Sequence, residues 1–268
     1  MSKDHVDLEI DGPIARVWLN RPDKLNGITF EMLQQLKDAA RTIDKNRDVR
    51  VVLLEGRGDS FCAGLDFGKV MTNPKKVGMW FIPNILRGTN MFQEPLWAWR
   101  RLSVPVIAIT RGHVFGGGIQ LALAADFRFT TPDCQWSVLE AKWGLVPDMS
   151  GTIALTDQLP GDLAKRLVMT AEIFDGTKAV EYGVATGVSE KPEELAMELA
   201  EQLMKRSPDS IAASKELMDR VRRMSVRRAF SLERKLQFAM LRSVNTKIAQ
   251  SAGKKKAEPT FKSRTFTR

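Results

Sequence analysis

Three consecutive glycines, Gly116, Gly117 and Gly118, separate an apolar run at residues 106–109 from a helix-forming stretch at residues 119–125. The apolar run is typical of a strand buried on both faces, so the sequence predicts a strand, a glycine turn and a helix in succession. Glycine permits unusual backbone angles, and the first turn of a helix presents unpaired N–H groups and the positive end of its dipole. The turn is therefore predicted to stabilise negative charge, with a purely structural tight turn as the alternative. Its spacing matches neither GxGxxG nor a P-loop, which disfavours nucleotide binding through those motifs.

A second glycine-bearing turn, FCAGLD at residues 61–66, follows another apolar run at residues 51–54. Parallel strands of one sheet end at the same edge, so turns that follow neighbouring strands lie side by side. The two turns together are predicted to direct main-chain N–H groups towards one point. Such a pair of donors is an oxyanion hole.

The rest of the pattern predicts an α/β body followed by helices. A hairpin around Asp11, Gly12 and Pro13 and a helix capped by Thr29 are predicted first. Residues 67–102 are irregular and rich in aromatic side chains, which indicates helical pieces or a lid over an apolar site, or a plain packed insertion. Further predicted elements are a strand at residues 127–130 and helices at residues 162–169, 177–182, 192–206 and 208–248. We divide the chain into a core at residues 1–200 and a helical C-terminal region with a basic tail at residues 201–268.

The positive charge is concentrated at one end of the chain. The formal net charge is +9, and residues 254–268 carry six Lys or Arg against one Glu. A basic tail is compatible with nucleic acid, a membrane surface, a subunit contact or a phosphate-bearing ligand, so charge alone does not choose among them.

Cysteine, histidine and hydropathy exclude several classes of protein. Only Cys62, Cys134, His5 and His113 are present, too few for a disulfide framework or a zinc site of familiar spacing, so no metal is expected. No apolar run approaches the roughly 20 residues of a membrane helix, and the N-terminus lacks a signal pattern. We therefore expect a cytoplasmic protein without a membrane partner.

Four segments resemble signature segments of the crotonase (enoyl-CoA hydratase/isomerase) family, in the family's order and at its spacing. These are NRPDKLNGI at residues 20–28, SFCAGLDF at 60–67, GGGIQLALAADFRF at 116–129 and GLVPDMSGT at 144–152. Four ordered motifs are far more specific than any one of them. The resemblance covers most of the chain and is weakest at residues 67–102.

The resemblance implies a crotonase-like spiral of β-β-α repeats with a helical C-terminal oligomerisation region, forming a homotrimer or a dimer of trimers. It implies an unsaturated acyl-CoA substrate whose thioester carbonyl lies between the backbone N–H groups of Leu65 and Gly117. It also aligns the backbones of Lys24, Leu25 and Asp66 with CoA. A lysine of residues 254–256 is expected to reach the nucleotide phosphate, with a solvated tail as the alternative. No cofactor is expected beyond the CoA of the substrate.

The sequence departs from the family's hydratases at one carboxylate. Hydratases use two glutamates, and Gln120 stands at the first of these positions, whereas Glu140 keeps the second. An amide cannot act as a base near neutral pH. Asp148 lies eight residues beyond Glu140, and the pair resembles the dienoyl-CoA isomerase arrangement with one acid missing. We predict that Glu140 is the principal base, that Asp148 assists and that Gln120 orients the acyl chain or a water, which favours double-bond isomerisation.

Two alternatives stay open at this point. The first is a 2-enoyl-CoA hydratase in which Glu140 does all the proton transfer. The second is a non-catalytic homologue that binds acyl-CoA or RNA, although a nucleic-acid partner is the less favoured use of the basic tail.

Overall fold

The strands form one large sheet and one small one. The computed structural model describes residues 5–268. Its strands are β1 (Val6–Asp11), β2 (Ile14–Leu19), β3 (Val51–Gly56), β4 (Val106–Thr110), β5 (His113–Phe115), β6 (Phe127–Thr130), β7 (Gln135–Ser137) and β8 (Gly187–Val188). The large sheet has the order β1-β2-β3-β4-β6-β8, with β1 antiparallel to β2 and every other pair parallel. The predicted hairpin and buried strands are confirmed.

The helices surround the sheet and then continue to the C-terminus. They are α1 (Phe30–Lys45), α2 (Phe67–Val70), α3 (Pro74–Phe81), α4 (Gln93–Arg100), α5 (Gly117–Ala124), α6 (Gly151–Gln158), α7 (Gly161–Thr170), α8 (Gly176–Glu181), α9 (Pro192–Met204), α10 (Pro208–Val221), α11 (Val226–Arg242) and α12 (Val244–Lys255). Thr29 caps α1 as predicted, because its side chain accepts the Met32 N–H at 3.2 Å.

The central strands are buried on both faces. Alternate side chains of a strand point to opposite faces, and in β3 Val52 and Leu54 join the main core while Val51 and Leu53 pack towards α9. The main core includes the apolar faces of α1 and α5. The unbroken apolar run at residues 51–54 therefore reflects a strand with no solvent-facing side.

The small parallel sheet of β5 and β7 lies next to the two glycine turns. Isolated bridges join Cys62 to Val114 of β5 and Ile28 to Leu65. The sequence did not predict β5 or β7, because three-residue strands carry too little periodicity to detect. This sheet fixes the residue 61–66 turn against the turn that precedes α5.

The single helix predicted at residues 208–248 is wrong, because the structure has three helices there. Ser225 and Ser243 both adopt extended angles at helix N-cap positions, and the Ser243 side chain accepts the Asn245 N–H at 3.1 Å. Serine competes for backbone hydrogen bonds and favours such caps. The helix α6 was also not predicted.

The basic C-terminal segment folds back onto the chain. Asp209 near the start of α10 accepts hydrogen bonds from Ser243 Oγ at 2.6 Å and from the backbone N–H groups of Thr265 and Phe266 at 2.7 and 2.8 Å. Arg264 is 2% exposed, and its backbone N–H donates to the Arg47 carbonyl. Part of the positive charge in the tail is therefore structural.

The predicted division at residue 200 stays a prediction, and α9 runs through it. Within residues 5–268, no helix combines the length and apolar character needed to cross a membrane.

Candidate active site

The two glycine turns meet. A Cβ atom placed on Gly64 would lie 2.9 Å from the Phe115 carbonyl oxygen and 3.6 Å from the backbone nitrogen of Gly117. Gly64 has φ +98° and Gly116 has φ +49°, which only glycine adopts readily. The resulting close approach puts the turn at residues 61–66 beside the first residue of α5.

Two backbone N–H groups at this junction lack acceptors. Gly117 begins α5, where an N–H has no partner within the helix. Among residues 5–268, neither Leu65 N–H nor Gly117 N–H has a hydrogen-bond acceptor. The junction therefore presents free donors at the positive end of a helix, as an anionic oxygen requires.

Glu140 points its carboxylate at the same place. It lies in a 3₁₀ turn, Leu139–Trp143, which follows β7, and it is 9% exposed. A Cβ atom on Gly116 would be 3.7 Å from Glu140 Oε1 and 4.0 Å from Gly64 Cα. Oε2 is buried and has no partner within the described part of the chain. Burial raises the pKa of Glu140, and the negative charge of Asp148 raises it further, while hydrogen bonds oppose the rise.

Gln120 holds Glu140 in position. Gln120 Oε1 accepts the N–H groups of Met149 and Gly151 at 2.8 and 3.0 Å, and Nε2 donates to Glu140 Oε1 at 2.6 Å. Because two backbone N–H groups donate to one end of the Gln120 amide, that end is the oxygen. The end that faces Glu140 is therefore the NH₂ group, which donates the hydrogen bond. A Cβ atom on Gly151 would be 2.5 Å from Gln120 Cγ, so only glycine fits there.

Asp148 lies next to this network without joining it. It is half-buried, and burial raises its pKa. It directly precedes Met149, whose N–H donates to Gln120 Oε1, and its negative charge raises the pKa of Glu140. The structure therefore brings together Leu65, Gly117, Gln120, Glu140 and Asp148, which the sequence singled out separately.

The predicted CoA-binding residues lie along the turn that supports Leu65. Leu25 is left-handed, with φ +48°, and 43% exposed, and its carbonyl accepts the Ala63 N–H at 2.9 Å. Lys24 precedes it in a single 3₁₀ turn. Burial opposes ionisation of Asp66, but hydrogen bonds from Arg21 and the Lys69 N–H leave its pKa below the ordinary value. The Asp66 side chain is thus held by the protein.

Arg21 and Asn26, for which the sequence predicts no role, both organise these turns. Arg21 donates to the Gly27 carbonyl and pairs with Asp66 at 3.0 Å. Asn26 is fully buried and left-handed, and its side-chain Nδ2 donates to the Ser60 carbonyl at 2.7 Å. The Asn26-Gly27 pair was the available signal, since Asn tolerates left-handed angles in turns.

Two other chemically reactive side chains are engaged elsewhere. His113 Nδ1 is 2.8 Å from Ser60 Oγ, and its ring packs edge-on against Phe115. Cys62 is buried, its Sγ donates to the Asn26 carbonyl, and burial raises the pKa of its thiol to about 12. Both side chains therefore have structural partners.

A cavity of about 1110 Å³ lies between α1, α4 and α10, and none of the candidate site residues lines it. Several of its arginines are paired with acids, such as Arg101 with Glu94 and Arg220 with Glu216. The converging donors and carboxylates at the glycine turns, and not this cavity, define the candidate active site.

Known proteins resemble this chain over nearly its whole length. The family model described as enoyl-CoA hydratase/isomerase matches residues 9–264. Carnitinyl-CoA dehydratase of Salmonella typhimurium is 32% identical over 262 residues, which cover 95% of this chain and 97% of the relative. (E)-Benzylidenesuccinyl-CoA hydratase of Thauera aromatica is 28% identical over 214 residues, which cover 79% and 80% of the two chains.

Solved structures agree with this assignment. The enoyl-CoA hydratase of Mycobacterium tuberculosis H37Rv has a TM-score of 0.85 at 26% identity, with coverage of 97% of this chain and 99% of that one. That of Bacillus anthracis has a TM-score of 0.87 at 24% identity and the same coverage, and so shows the shared fold. The predicted crotonase-like fold is confirmed, and the chain is an enzyme of the enoyl-CoA hydratase/isomerase family, which acts on CoA thioesters.

Proposed function

We propose that this enzyme moves a double bond in an unsaturated acyl-CoA thioester through an enolate. The thioester oxygen accepts the N–H groups of Leu65 and Gly117, and Glu140 Oε2 removes a proton from C2. The electron pair moves onto the oxygen, and the resulting dienolate takes a proton at C4. Donors that strengthen as the oxygen becomes anionic stabilise the transition state more than the bound substrate.

The observation that supports this proposal most strongly is that both acceptor sites of Gln120 Oε1 are occupied by backbone N–H groups. These are the Met149 and Gly151 N–H groups, so Gln120 has no acceptor left for a water. Glu140 Oε2, which has no hydrogen-bond partner among residues 5–268, is then available to receive a proton. This arrangement supports proton shuttling by Glu140, with Gln120 as a positioning residue and Asp148 assisting.

Hydration of a 2-enoyl-CoA is the second candidate, because the similar curated proteins are named as a dehydratase and a hydratase. The experiment that separates the two compares kcat/KM for 3-enoyl-CoA isomerisation with that for 2-enoyl-CoA hydration at matched chain length. Faster hydration than isomerisation by the wild-type enzyme would reject the preference for isomerisation.

Gln120→Glu is expected to shift the ratio of the two reactions towards hydration. The new carboxylate would accept the same backbone N–H groups and put a second acid 2.6 Å from Glu140 Oε1, where the two groups share a proton. Both reactions are measured with purified variant, and Gln120→Ala is the matched control that removes the amide without adding an acid. An unchanged ratio in Gln120→Glu would contradict the assigned role of position 120.

Asp148→Asn is expected to move the acid limb of the kcat/KM profile to lower pH. The negative charge of Asp148 raises the pKa of Glu140, so removing it lowers that pKa and leaves Glu140 ionised further into the acid range. The profile is measured from pH 4.5 to 9 with one thioester. An acid limb that stays in place or moves to higher pH would show that Asp148 does not act on the catalytic base.

The contacts with CoA are part of the same proposal. Backbone groups of Lys24, Leu25 and Asp66 follow the CoA chain, and the lysines at residues 254–256 attract its nucleotide phosphate. The three lysines are exposed at the end of α12, which supports this use of their charge. No other cofactor enters the proposed reaction.

We also propose a homotrimer or a dimer of trimers. The support is a set of large apolar side chains left exposed on α11: Val226, Phe230, Phe238 and Leu241. Light scattering of the purified enzyme measures the assembly, and a monomer at micromolar concentration would contradict it.

A further inference from the structure

Two aromatic side chains meet across the candidate active site. Phe67 is the first residue of α2, two residues after Leu65, and Trp143 ends the 3₁₀ turn that carries Glu140. Their ring centroids are 6.2 Å apart with an interplanar angle of 44°. The contact therefore links the segment that supplies an oxyanion donor to the segment that supplies the carboxylate.

The 3₁₀ turn sets the direction of Trp143. A 3₁₀ helix has three residues per turn, so side chains three positions apart lie on the same side. Trp143 is three positions after Glu140, so the two side chains lie on the same side of the turn. The Glu140 carboxylate is buried, whereas the Trp143 indole is 61% exposed. A substrate that presents its reacting carbons to Glu140 would extend its far end towards this indole.

The surface beside Trp143 is apolar. Leu145 is 45% exposed and Val146 is 72% exposed, and both directly follow the turn that Gly144 ends. At the inner end, Met149 Sδ and Ile28 Cδ1 would lie 3.0 and 3.1 Å from a Cβ atom on Gly117. Contiguous exposed apolar side chains on a protein surface mark a binding site. Apolar side chains thus lie both beside the backbone donor of Gly117 and beside Trp143 at the surface.

We propose that Trp143, supported by Phe67, is a specificity-determining residue that selects acyl groups carrying an uncharged aromatic ring beyond C3. The ring packs against the exposed indole face, with Leu145 and Val146 at its edge. This inference rests on the proposed function in taking the thioester carbonyl to lie at Leu65 and Gly117 and the reacting carbons to face Glu140.

The charges next to the two rings in sequence favour an uncharged acyl group. Aromatic faces attract cations as well as other rings. Asp66, next to Phe67 in sequence, is paired with Arg21, and Lys69 is paired with Glu31. Lys142, next to Trp143, is exposed and forms no ion pair among residues 5–268. Its positive charge disfavours a cationic acyl group and leaves an aromatic ring as the better match for the indole.

The test measures binding of saturated thioesters, which cannot react. Calorimetry gives Kd for 3-phenylpropanoyl-CoA and for hexanoyl-CoA with the wild-type enzyme and with Trp143→Leu, Trp143→Phe and Phe67→Leu. We expect the wild-type enzyme to prefer the aryl ligand and Trp143→Leu to lose about tenfold of that preference, since a ring-on-ring contact contributes a few-fold to about tenfold in affinity. Trp143→Phe should restore most of it, and Phe67→Leu should lose a smaller part.

Three outcomes overturn the proposal. They are an unchanged preference in Trp143→Leu, equal affinity of the wild-type enzyme for both ligands, and tighter binding of 4-(trimethylammonio)butanoyl-CoA than of its uncharged 5,5-dimethylhexanoyl counterpart. Light scattering of each variant is run alongside, and loss of assembly in Trp143→Leu and in Trp143→Phe would assign the indole to a subunit contact instead. Since none of these ligands has a double bond to move, failure here leaves the isomerisation proposal to be judged by turnover alone.

Discussion

Glu140→Gln is expected to lower kcat by about 10²- to 10⁴-fold on every thioester that the enzyme turns over, the usual contribution of a general base. In the proposed mechanism the buried Oε2 receives the substrate proton, and an amide at this position cannot accept it near neutral pH. The measurement is single-turnover kinetics with saturating thioester, which separates chemistry from binding. Turnover within a few-fold of wild type would remove Glu140 from the mechanism.

A stability measurement controls for folding of Glu140→Gln. Burial raises the pKa of Glu140 in the folded enzyme above its ordinary value of 4.5. A raised carboxyl pKa contributes stability below the unfolded pKa that is lost as the pH rises through the folded pKa. The free energy of unfolding of Glu140→Gln should therefore equal or exceed that of wild type at pH 7, and this difference should shrink below about pH 4.5. A variant that is inactive yet at least as stable has lost chemistry and not structure.

Gly117→Pro is expected to lower kcat/KM by about 10²- to 10³-fold, the usual cost of one oxyanion donor. Proline removes the backbone N–H and adds a ring that includes a Cβ atom, and proline is tolerated at the first position of a helix, which Gly117 occupies. The rate is measured with the same thioester as for wild type, and helix content is checked by circular dichroism. An active Gly117→Pro enzyme would exclude this N–H from the oxyanion hole.

Gly117→Ala is the matched control for Gly117→Pro. It adds the same Cβ atom, which would meet Met149 Sδ at 3.0 Å and Ile28 Cδ1 at 3.1 Å, but it keeps the N–H. Both contacts are the ends of flexible side chains, so a small shift relieves them. Gly117→Ala should retain far more activity than Gly117→Pro, and equal losses would mean that packing, not the donor, limits the rate.

Gln120 shows how much of the candidate site could be predicted from the sequence. The sequence identifies Gln120 as a departure from the family's hydratases and predicts Glu140 as the principal base, because an amide has no basic form near neutral pH. It predicted that Gln120 orients the acyl chain or a water, and this role stays a prediction. Only the folded chain brings the Met149 and Gly151 N–H groups onto Gln120 Oε1 and thereby turns its N–H towards Glu140.

The C-terminal region shows where sequence reasoning failed. Helical periodicity merged α10, α11 and α12 into one helix, since the caps at Ser225 and Ser243 are weak local signals within a basic, helix-forming stretch. The charge of the tail predicts possible binding partners but does not predict that the tail packs against the chain. The tail is attached to Asp209 through Thr265 and Phe266, which lie 56 and 57 positions from Asp209 in the sequence. Contacts between residues so far apart have no local sequence signature.

The sequence by itself determined the strand-glycine-helix units, the family and the identities of the groups available for chemistry, because glycine angles, buried strands and side-chain acidity are local properties of the residues. The tertiary structure alone decided that Gly64 and Gly117 approach within a few ångströms, that one Glu140 oxygen has no partner among residues 5–268 and that Phe67 meets Trp143. Each of these facts depends on long-range packing, in which segments far apart in the chain are brought together by burial of a common core.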